Sequence, residues 1–448
     1  MSDLLSIGAS GVRAYQTALS TVSENIANTG TAGYTRRTTT LGEVSSISGG
    51  VNSRISSTGS WVTILGIGRS ADAYRSQAVR SAGTDLAKTA TSITWMSRIE
   101  SSLGDNKLGD RLTKFFGAAQ TLSADPTSIP ARAVMLESAG SAAAAFATTG
   151  KALDTATAEL EASTSQAVDS LNSLGVALAK VNDGIARSQP GSSSAAQLAD
   201  QRDRVLEQMS TLTDVTTAFD ELGRATVRLG GPSGPAFVVG NDSGQVSFAR
   251  NDEGAMAFTV ARGGVTSTVS PSGGALAGFV DGAQRLATAR EGLNAIASDF
   301  TAQVNAVQMQ GRDLDGKAGA ALFATGDTPT DISVVLADPR GIAAAGANGS
   351  MRDASNLAAL QGVRSSGGFE TRTVNLIAGN AAALEQRTTV ADAQSAIRDG
   401  AVSALASASG VDLDNEAVDL LRFQQAYQAS SRVIQTARDT FQSILEIR

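Results

Sequence analysis

Apolar residues near the start of the chain recur at alternating spacings of three and four, the pattern of a helix with one narrow apolar face. The positions that carry it are Leu5, Gly8, Val12, Tyr15, Leu19, Val22 and Ile26. Asn28 and Gly30 follow, and both residue types tolerate the left-handed conformation that ends many helices. The pattern therefore predicts an amphipathic helix that ends near Asn28.

The other end of the chain carries a matching pattern over residues 411–448. Its apolar stripe consists of Leu420, Phe423, Tyr427, Ser430, Ile434, Ala437, Phe441 and Ile444. Asp412, Asp414 and Glu416 precede the stripe, and carboxylates favour a helix start through capping and the helix dipole. Both ends of the chain are therefore predicted to be helices with heptad seams.

These two seams need a surface that covers them. A single helix of this length is marginally stable in water, and a narrow apolar stripe stabilises it only when another surface packs on the stripe. The two seams can cover each other within one subunit, between neighbouring subunits, or in both ways. The residues alone leave these three arrangements open.

The pattern changes twice in the interior of the chain. Residues 70–215 have helical spacing with few breaks, which indicates a helical bundle. Residues 216–281 alternate apolar and polar residues in short runs separated by Gly, Asn and Asp, which predicts antiparallel strands. Helical text returns over 282–310 and 352–408, and a short strand is predicted at 331–336.

Together these patterns predict a mainly α fold with a β insertion. The expected domains are nested, with 1–45 and 411–448 paired as a terminal coiled coil, 46–215 and 282–410 as a helical bundle, and 216–281 as a small outer β domain. Aromatic residues make up only 4% of the chain. We therefore expect helix contacts built from small residues more than from aromatic clusters.

Composition excludes several classes of function. The 448-residue chain has 36 Lys+Arg against 43 Asp+Glu, and this net charge of −7 argues against non-specific nucleic-acid binding. It has no cysteine and no histidine, which excludes cysteine nucleophiles, thiolate zinc sites and Ser-His-Asp triads. No stretch has the pattern of a membrane span, and the first residues lack the pattern of a cleaved secretion signal.

Two glycine-containing stretches resemble sites of chemistry. Residues 64–71 (ILGIGRSA) resemble a dinucleotide-binding turn, but that fold needs a βαβ unit, and the candidate acid Asp85 lies in helical text. Asp313 and Asp315 resemble part of a calcium loop, but the twelfth position counted from Asp313 is Ala324 instead of glutamate. A strand-to-helix turn and a polar turn are the favoured interpretations, so we expect no catalytic residue, cofactor or metal.

The stretch NIANTGTAGYTRR, residues 25–37, resembles a motif of a known family. A heptad helix followed by Asn-x-x-Thr-x-Gly-Tyr is similar to the N-terminal signature of the bacterial flagellar rod, hook and hook-associated axial proteins. The matching positions are Asn25, Asn28, Thr31, Gly33, Tyr34 and Arg36. The C-terminal text over 410–437 is similar to the hook-associated members, and the long helical text at 70–215 favours those of the hook–filament junction.

This resemblance implies a structural role outside the cell. Family members leave the cell through the flagellar type III export system without a cleaved signal peptide. They assemble into a ring of about eleven identical subunits, between the hook protein and a second hook-associated junction protein. The resemblance also implies an export chaperone on the C-terminal helix, and it implies no nucleic acid, membrane or cofactor.

The resemblance further implies that residues 25–37 form a hinge between an inner-tube helix and the outer layers. Gly30 and Gly33 would supply backbone conformations closed to other residues, and Tyr34 would provide a subunit contact. Two alternatives remain open at this point. One is another axial protein, such as the second junction protein or a hook protein, and the other is a nucleotide- or metal-binding enzyme.

Overall fold

The computed structural model describes residues 2–44, 61–251 and 254–446. The helices are α1 (Ser2–Ala27), α2 (Ala73–Gly104), α3 (Leu108–Ala124), α4 (Ile129–Arg187), α5 (Ser193–Leu212), α6 (Gly274–Gln310), α7 (Ser355–Gly367), α8 (Phe369–Ser409) and α9 (Leu413–Glu446). The strands are β1 (Arg37–Val44), β2 (Trp61–Arg69), β3 (Val215–Phe219), β4 (Ala225–Leu229), β5 (Ala236–Val239), β6 (Asp242–Ser243), β7 (Gln245–Arg250), β8 (Met256–Arg262), β9 (Val265–Val269), β10 (Phe323–Thr325) and β11 (Ile332–Val334). Within these ranges, no helix is both long enough and apolar enough to cross a bilayer.

The prediction of a mainly helical fold with an antiparallel β insertion is confirmed. Between α5 and α6 the chain forms a four-stranded sheet of order β3-β4-β5-β6 and a three-stranded sheet of order β7-β8-β9. We call these two sheets the β domain, and α2–α8 together with the β domain and β10–β11 the body. The following helix begins at Gly274, whereas the sequence pattern predicts a start at residue 282. The prediction is wrong because the glycines in the first turns of this helix are typical of a loop.

A hairpin joins the first helix to the body. Strands β1 and β2 pair antiparallel, from Arg37 opposite Arg69 to Val44 opposite Trp61. The two strands lie on opposite sides of residue 45 in the sequence, where the sequence analysis places a domain boundary. The terminal segment and the body therefore share this sheet.

Side-chain caps fix where the long helices of the body begin. Asp72, Ser128 and Ser192 precede α2, α4 and α5, and each side chain accepts a hydrogen bond from the backbone N–H three residues later. The longest helix, α4, ends at Arg187, shortly before Pro190. Proline cannot continue a helix, so the chain turns there into α5.

The core of the body is an aromatic cluster, and the expectation of mainly small-residue contacts is wrong for it. The fully buried rings of this cluster are Phe115, Phe116, Phe146, Phe300, Phe323 and Phe369. Phe300 on α6 lies at the centre, with ring centroids of the other five between 5.3 and 6.2 Å away. Aromatic residues are few in this chain, but the fold brings rings from five elements together at one point.

We predict that Phe300→Ala lowers the free energy of unfolding of the body by about 3–5 kcal/mol, because it removes a central buried ring and leaves a cavity. Urea unfolding followed by circular dichroism measures this change. Val176→Ala, at an exposed position on α4, is the matched control and should change stability by less than about 0.5 kcal/mol. Equal losses in the two variants would contradict the central role of the cluster.

Candidate functional site

The helices at the two ends of the chain, α1 and α9, pack against each other in antiparallel order. Tyr15 lies beside Phe423 with 6.4 Å between ring centroids, and nearer the start of α1, Gly8 faces Ile434. A Cβ atom at Gly8 would lie 2.6 Å from Ile434 Cγ1 and 3.3 Å from the carbonyl oxygen of Ser430. Glycine therefore lets the two helices approach more closely than a larger residue would allow.

Small residues form the centre of this contact on α1, beside the large residues of the predicted seam. The buried stripe consists of Gly8, Gly11, Ala14, Ala18, Thr21, Val22 and Asn25. Gly8 and Val22 belong to both the predicted seam and the buried stripe, whereas Leu5 and Ile26 remain 41% and 37% exposed. The half-buried seam residues are Val12, Tyr15 and Leu19. The small residues of α1 face α9 and allow the two helices to approach closely. The large apolar residues of α1 therefore lie at the flanks of the contact.

On α9 the predicted stripe is the side that faces α1. The half-buried members are Leu420, Phe423, Tyr427, Ser430 and Ile434. Glu416 and Ala437 on the same side are buried, whereas Phe441 is 55% exposed. The side chain of Ile444 lies outside the described residues. Larger side chains on α9 therefore pack against the small residues of α1.

Asn25, at the start of the sequence motif, is buried in a cluster of hydrogen bonds. Its amide nitrogen donates to the Glu416 carboxylate at 2.9 Å and to the Arg37 carbonyl at 2.8 Å. Its amide oxygen accepts from the Arg37 backbone N–H at 3.0 Å and from the Tyr34 hydroxyl at 2.8 Å. These bonds join α1, β1 and α9 and use both amide hydrogens. We call Asn25, Tyr34, Arg36, Arg37 and Glu416 the latch.

Arg36 connects the latch to α9. Its Nε donates to Glu416 Oε1 at 2.5 Å, and its Nη2 donates to Asp419 Oδ2 at 3.2 Å. The Glu416 side chain is fully buried, so its charge depends on Arg36 and Asn25 for compensation. The backbone N–H of Arg36 also donates to the carbonyl of Ser409 at 2.8 Å, at the end of α8. The hydrogen bond from Asn25 on α1 and the ion pair from Arg36 therefore meet at Glu416 on α9.

Arg37 points the other way, into the body. Its guanidinium is buried and pairs with Glu24 at 2.9 Å and with Asp200 on α5 at 3.2 Å. It also lies 4.8 Å from the centroid of the Tyr34 ring. Burial raises the pKa of Tyr34, while the charge of Arg37 opposes this rise and nearby carboxylates add to it. The phenol is thus kept in the protonated form that donates to Asn25.

The remaining motif residues shape the turn after α1. Gly33 has φ +72°, as expected for a conformation that favours glycine, and a Cβ there would lie 2.6 Å from Arg204. Gly30 does not have a positive φ and faces open space, so the expected special conformation is wrong for Gly30. The Asn28 amide donates to a carbonyl in the last turn of α1, and the Thr31 hydroxyl lies 3.2 Å from Asn28 Oδ1.

The acidic partner of this site on α5, Asp200, is not apparent from the sequence pattern. Asp200 contacts Arg37 and also Arg69, whose Nε lies 2.8 Å from Asp200 Oδ1. The text around Asp200 is rich in charge and is typical of a solvated helix face. A usable signal is its position four residues after the buried Ala196, which places a carboxylate on the buried side of α5.

Residues 64–71 do not fold as a dinucleotide-binding turn, and the loop of Asp313 and Asp315 does not fold as a calcium site. Gly66 and Gly68 lie in β2, which pairs antiparallel with β1 and not in a βαβ unit, and Asp85 lies within α2. Asp313 accepts hydrogen bonds from backbone N–H groups of its own loop, which is a polar turn. Among the residues that the structure describes, no group of three or more His, Cys, Asp or Glu side chains is placed to hold a metal ion.

We predict that Asn25→Asp opens the latch, because a carboxylate oxygen would replace the amide donor that faces Glu416. An unsatisfied buried group costs about 1–3 kcal/mol, so proteolysis within α1 should accelerate by about tenfold. Limited proteolysis followed by mass spectrometry measures this rate. Asn375→Asp, the same change at an exposed position on α8, is the control. Similar rates in both variants would contradict the role of Asn25.

We also predict that Tyr34 ionises above the ordinary tyrosine pKa. A raised pKa means that the folded state holds the proton more tightly, so this contribution to stability is complete below about pH 10 and is lost as pH rises further. Phenolate absorbance of the native chain minus that of Tyr34→Phe measures the pKa. Tyr74→Phe, at an exposed tyrosine, provides the comparison. Ionisation of Tyr34 at or below the ordinary value would refute this.

Two family models match separate parts of the chain. Residues 96–323, which are 228 of 448 residues, match the model described as the flagellar hook-associated protein FlgK helical domain. Residues 402–447 match the model described as the C-terminal part of flagellar basal body rod FlgEFG proteins. The first match covers most of the body, and the second covers the end of α8 and nearly all of α9.

Relatives with known names agree with these matches. The chain is 28% identical to flagellar hook-associated protein 1 of Salmonella typhimurium, over 73% of this chain and 60% of that protein. It is 23% identical to flagellar hook-associated protein 1 of Bacillus subtilis, over 94% of this chain and 93% of that protein. The chain thus spans about three fifths of the length of the Salmonella relative.

A solved structure is also similar. The flagellar hook junction protein FlgK from Burkholderia pseudomallei superposes with a TM-score of 0.50 and 26% identity, over 56% of this chain and 47% of that chain. The FlgK helical-domain model itself covers just over half of the chain. The chain therefore belongs to the family of flagellar hook-associated proteins that carry the FlgK helical domain.

Proposed function

We propose that the chain is a structural component of the bacterial flagellum that self-assembles into the layer joining hook to filament. The observation that carries this proposal is the antiparallel pair of α1 and α9, which the latch fixes to the body while large apolar residues stay partly exposed. Leu5, Ile26 and Phe441 are such residues. Exposed apolar surface of this kind is stabilised when a neighbouring molecule covers it. The role is mechanical rather than enzymatic.

In this proposal α1 and α9 pair as a coiled coil, and neighbouring copies cover the flanks of each pair. Head-to-tail contacts of this type close into a ring when the rotation between copies allows it, and about eleven subunits are expected. The assembly seam comprises Leu5, Val12, Tyr15, Leu19, Val22, Ile26, Leu420, Phe423, Tyr427, Ile434, Phe441 and Ile444. The motif from Asn25 to Arg36 sets the direction in which the pair leaves the body. The domain division at residues 45, 215, 281 and 410 is part of the same proposal.

The partners follow from this position in the flagellum. Hook protein contacts one face of the layer, and a second hook-associated junction protein contacts the other. An export chaperone holds α9 before assembly, where Val418 and Leu421 present apolar surface to solvent. The chain reaches the outside of the cell through the flagellar type III system. The sequence contains no cysteine, so disulfides do not obstruct passage in an unfolded form.

A second candidate is another axial position, such as the second junction protein or the hook itself. The match of residues 402–447 to a C-terminal region of rod proteins favours a general axial role as much as a junction role. The helices α3–α5 favour the junction, since they lie within the match to the hook-associated helical domain.

Deletion of the gene for this chain separates the two positions. We predict completed hooks without filaments, and flagellin released into the medium, because the layer that receives the filament is lost. Electron microscopy of the cells and immunoblots of the medium measure both. Incomplete hooks would favour an earlier axial position, and normal filaments would refute a flagellar junction role.

Complementation of the deletion strain tests the seam. Leu5→Asp and Phe441→Asp change exposed positions, so the purified monomers should fold normally while filament formation falls to near the level of the deletion strain. Val176→Asp, at an exposed apolar position on α4, is the matched control and should restore filaments. Full motility with both seam variants, or an equal defect with the control, would contradict the assigned surface.

A further inference from the structure

A row of side chains with alternating charge leads from the latch across α5 to the β domain. Its members, in order, are Arg37, Asp200, Arg69, Asp203 and Arg202, and we call them the charge ladder. We propose that the charge ladder couples the docking of the terminal helix pair to the stability of the β3–β4 turn. Loosening either end then loosens the other.

The first part of the ladder solves a problem of like charges. Arg37 and Arg69 lie directly opposite each other on β1 and β2, where two positive side chains destabilise a strand pair. Asp200 inserts its carboxylate between them, 3.2 Å from Arg37 Nη2 and 2.8 Å from Arg69 Nε. Only 5% of the Asp200 side chain is exposed. The pairing of the hairpin therefore depends on this carboxylate of α5.

The second part of the ladder reaches the β domain. Arg69 Nη2 donates to Asp203 Oδ2 at 2.7 Å, and Arg202 Nη2 donates to Asp203 Oδ1 at 2.6 Å. Arg202 also donates through Nη1 to the carbonyl of Gly223 at 2.5 Å, and its guanidinium lies 4.2 Å from the ring centroid of Phe219. These contacts attach α5 to the turn between β3 and β4.

Shared members make the ladder act as a unit. An isolated pair on the surface contributes little, whereas removal of one partner from a buried pair leaves an uncompensated charge. Each of Asp200, Arg69 and Asp203 serves two partners, so a shift of one member changes the electrostatic environment of both neighbours. When the terminal pair undocks, Arg37 loses its ion pair with Glu24 and the hydrogen bonds between its backbone and Asn25, so its pair with Asp200 is no longer held in place.

A further arginine strengthens the dependence on Asp203. Arg80 on α2 is buried, and its Nε has no hydrogen-bond partner. Burial lowers the pKa of Arg80, and the charge of Asp203 opposes that change while the charge of Arg202 adds to it. Asp203 therefore compensates positive charge from α2, α5 and the hairpin at once.

Hydrogen exchange with mass spectrometry on the full chain tests the coupling from the β-domain end. Arg202→Met removes the contacts to Asp203 and Gly223. We expect amide exchange at residues 24–37 and in the first turn of α9 to become about fivefold faster or more, the lower end of typical coupling between sites. Unchanged exchange there would overturn the proposal, because packing alone would then connect these regions.

The reverse experiment uses reciprocity, since coupling between two sites has the same size in both directions. Glu416→Gln weakens the latch, and exchange at residues 219–224 should accelerate by a similar factor. Arg98→Met is the control, because Arg98 forms an exposed pair with Glu159 away from the ladder. An effect of Glu416→Gln confined to α1, α9 and β1 would overturn the proposal.

Asp200→Asn keeps the test decisive if either variant loses its fold. It retains the shape of the residue and one acceptor oxygen while removing the charge between the two arginines. We expect faster exchange at both residues 24–37 and residues 219–224, with unchanged exchange around Phe300 in the body. Acceleration at one end alone would show that the ladder consists of independent pairs and would refute the coupling.

Discussion

The contact between the terminal helices and the body depends on one constraint, the buried carboxylate of Glu416. A fully buried charge is costly unless it is paired and hydrogen-bonded, and the compensating groups here are Arg36 and Asn25 from the other end of the chain. Helix α9 can therefore dock in one register only, with Glu416 at the end of α1. A polar contact within an apolar helix pair sets register in the same way in coiled coils.

The polar contacts of Glu416 set the register in which α1 and α9 pair, and this is a separate matter from the hydrophobic free energy of their contact. The rings around Phe300 give the body a deep apolar core, whereas the centre of the α1 stripe consists of glycine, alanine and threonine. Burying small side chains removes little apolar area from water, so the α1 side of the pair contributes little hydrophobic burial of its own. The large residues of α1 remain at the flanks. The single chain thus fixes how the pair sits while these large residues stay partly exposed.

Much of the fold follows from periodicity, because a helix that buries one face must repeat its apolar residues every three or four positions. That rule identifies α1, α9 and most of the body, and period-two alternation identifies the β domain. It does not identify the side of α1 that meets α9. Large residues dominate the pattern, but the closest approach of the two helices is decided by Gly8, one position of the pattern, and by Gly11, which lies outside it.

Contacts between distant segments are the other part that the sequence does not reveal. The motif from Asn25 to Arg37 is visible as a pattern, yet its partners Asp200 and Glu416 lie in charged text that is typical of solvated helix faces. The same holds for the core, since the phenylalanines from Phe115 to Phe369 are scattered along the chain and converge only in the folded body. Local helix and strand propensities carry no information about these long-range contacts.

The body makes the pairing of the chain ends effectively local. Asn25 and Glu416 are 391 positions apart, a separation that would make closure slow and entropically unfavourable in an unfolded chain. Once the body is folded, the Arg36 N–H and the Ser409 carbonyl are 2.8 Å apart, so the end of α1 and the start of α9 lie side by side like the arms of a helical hairpin. Undocking of the pair then requires the latch to open together with the contacts of α1 to β1 and α5, such as Thr21 to Thr39 and Glu24 to Ser193, none of which belongs to the aromatic core. Because these contacts lie apart from the rings around Phe300, the terminal pair can open as a local unit while the core of the body stays folded.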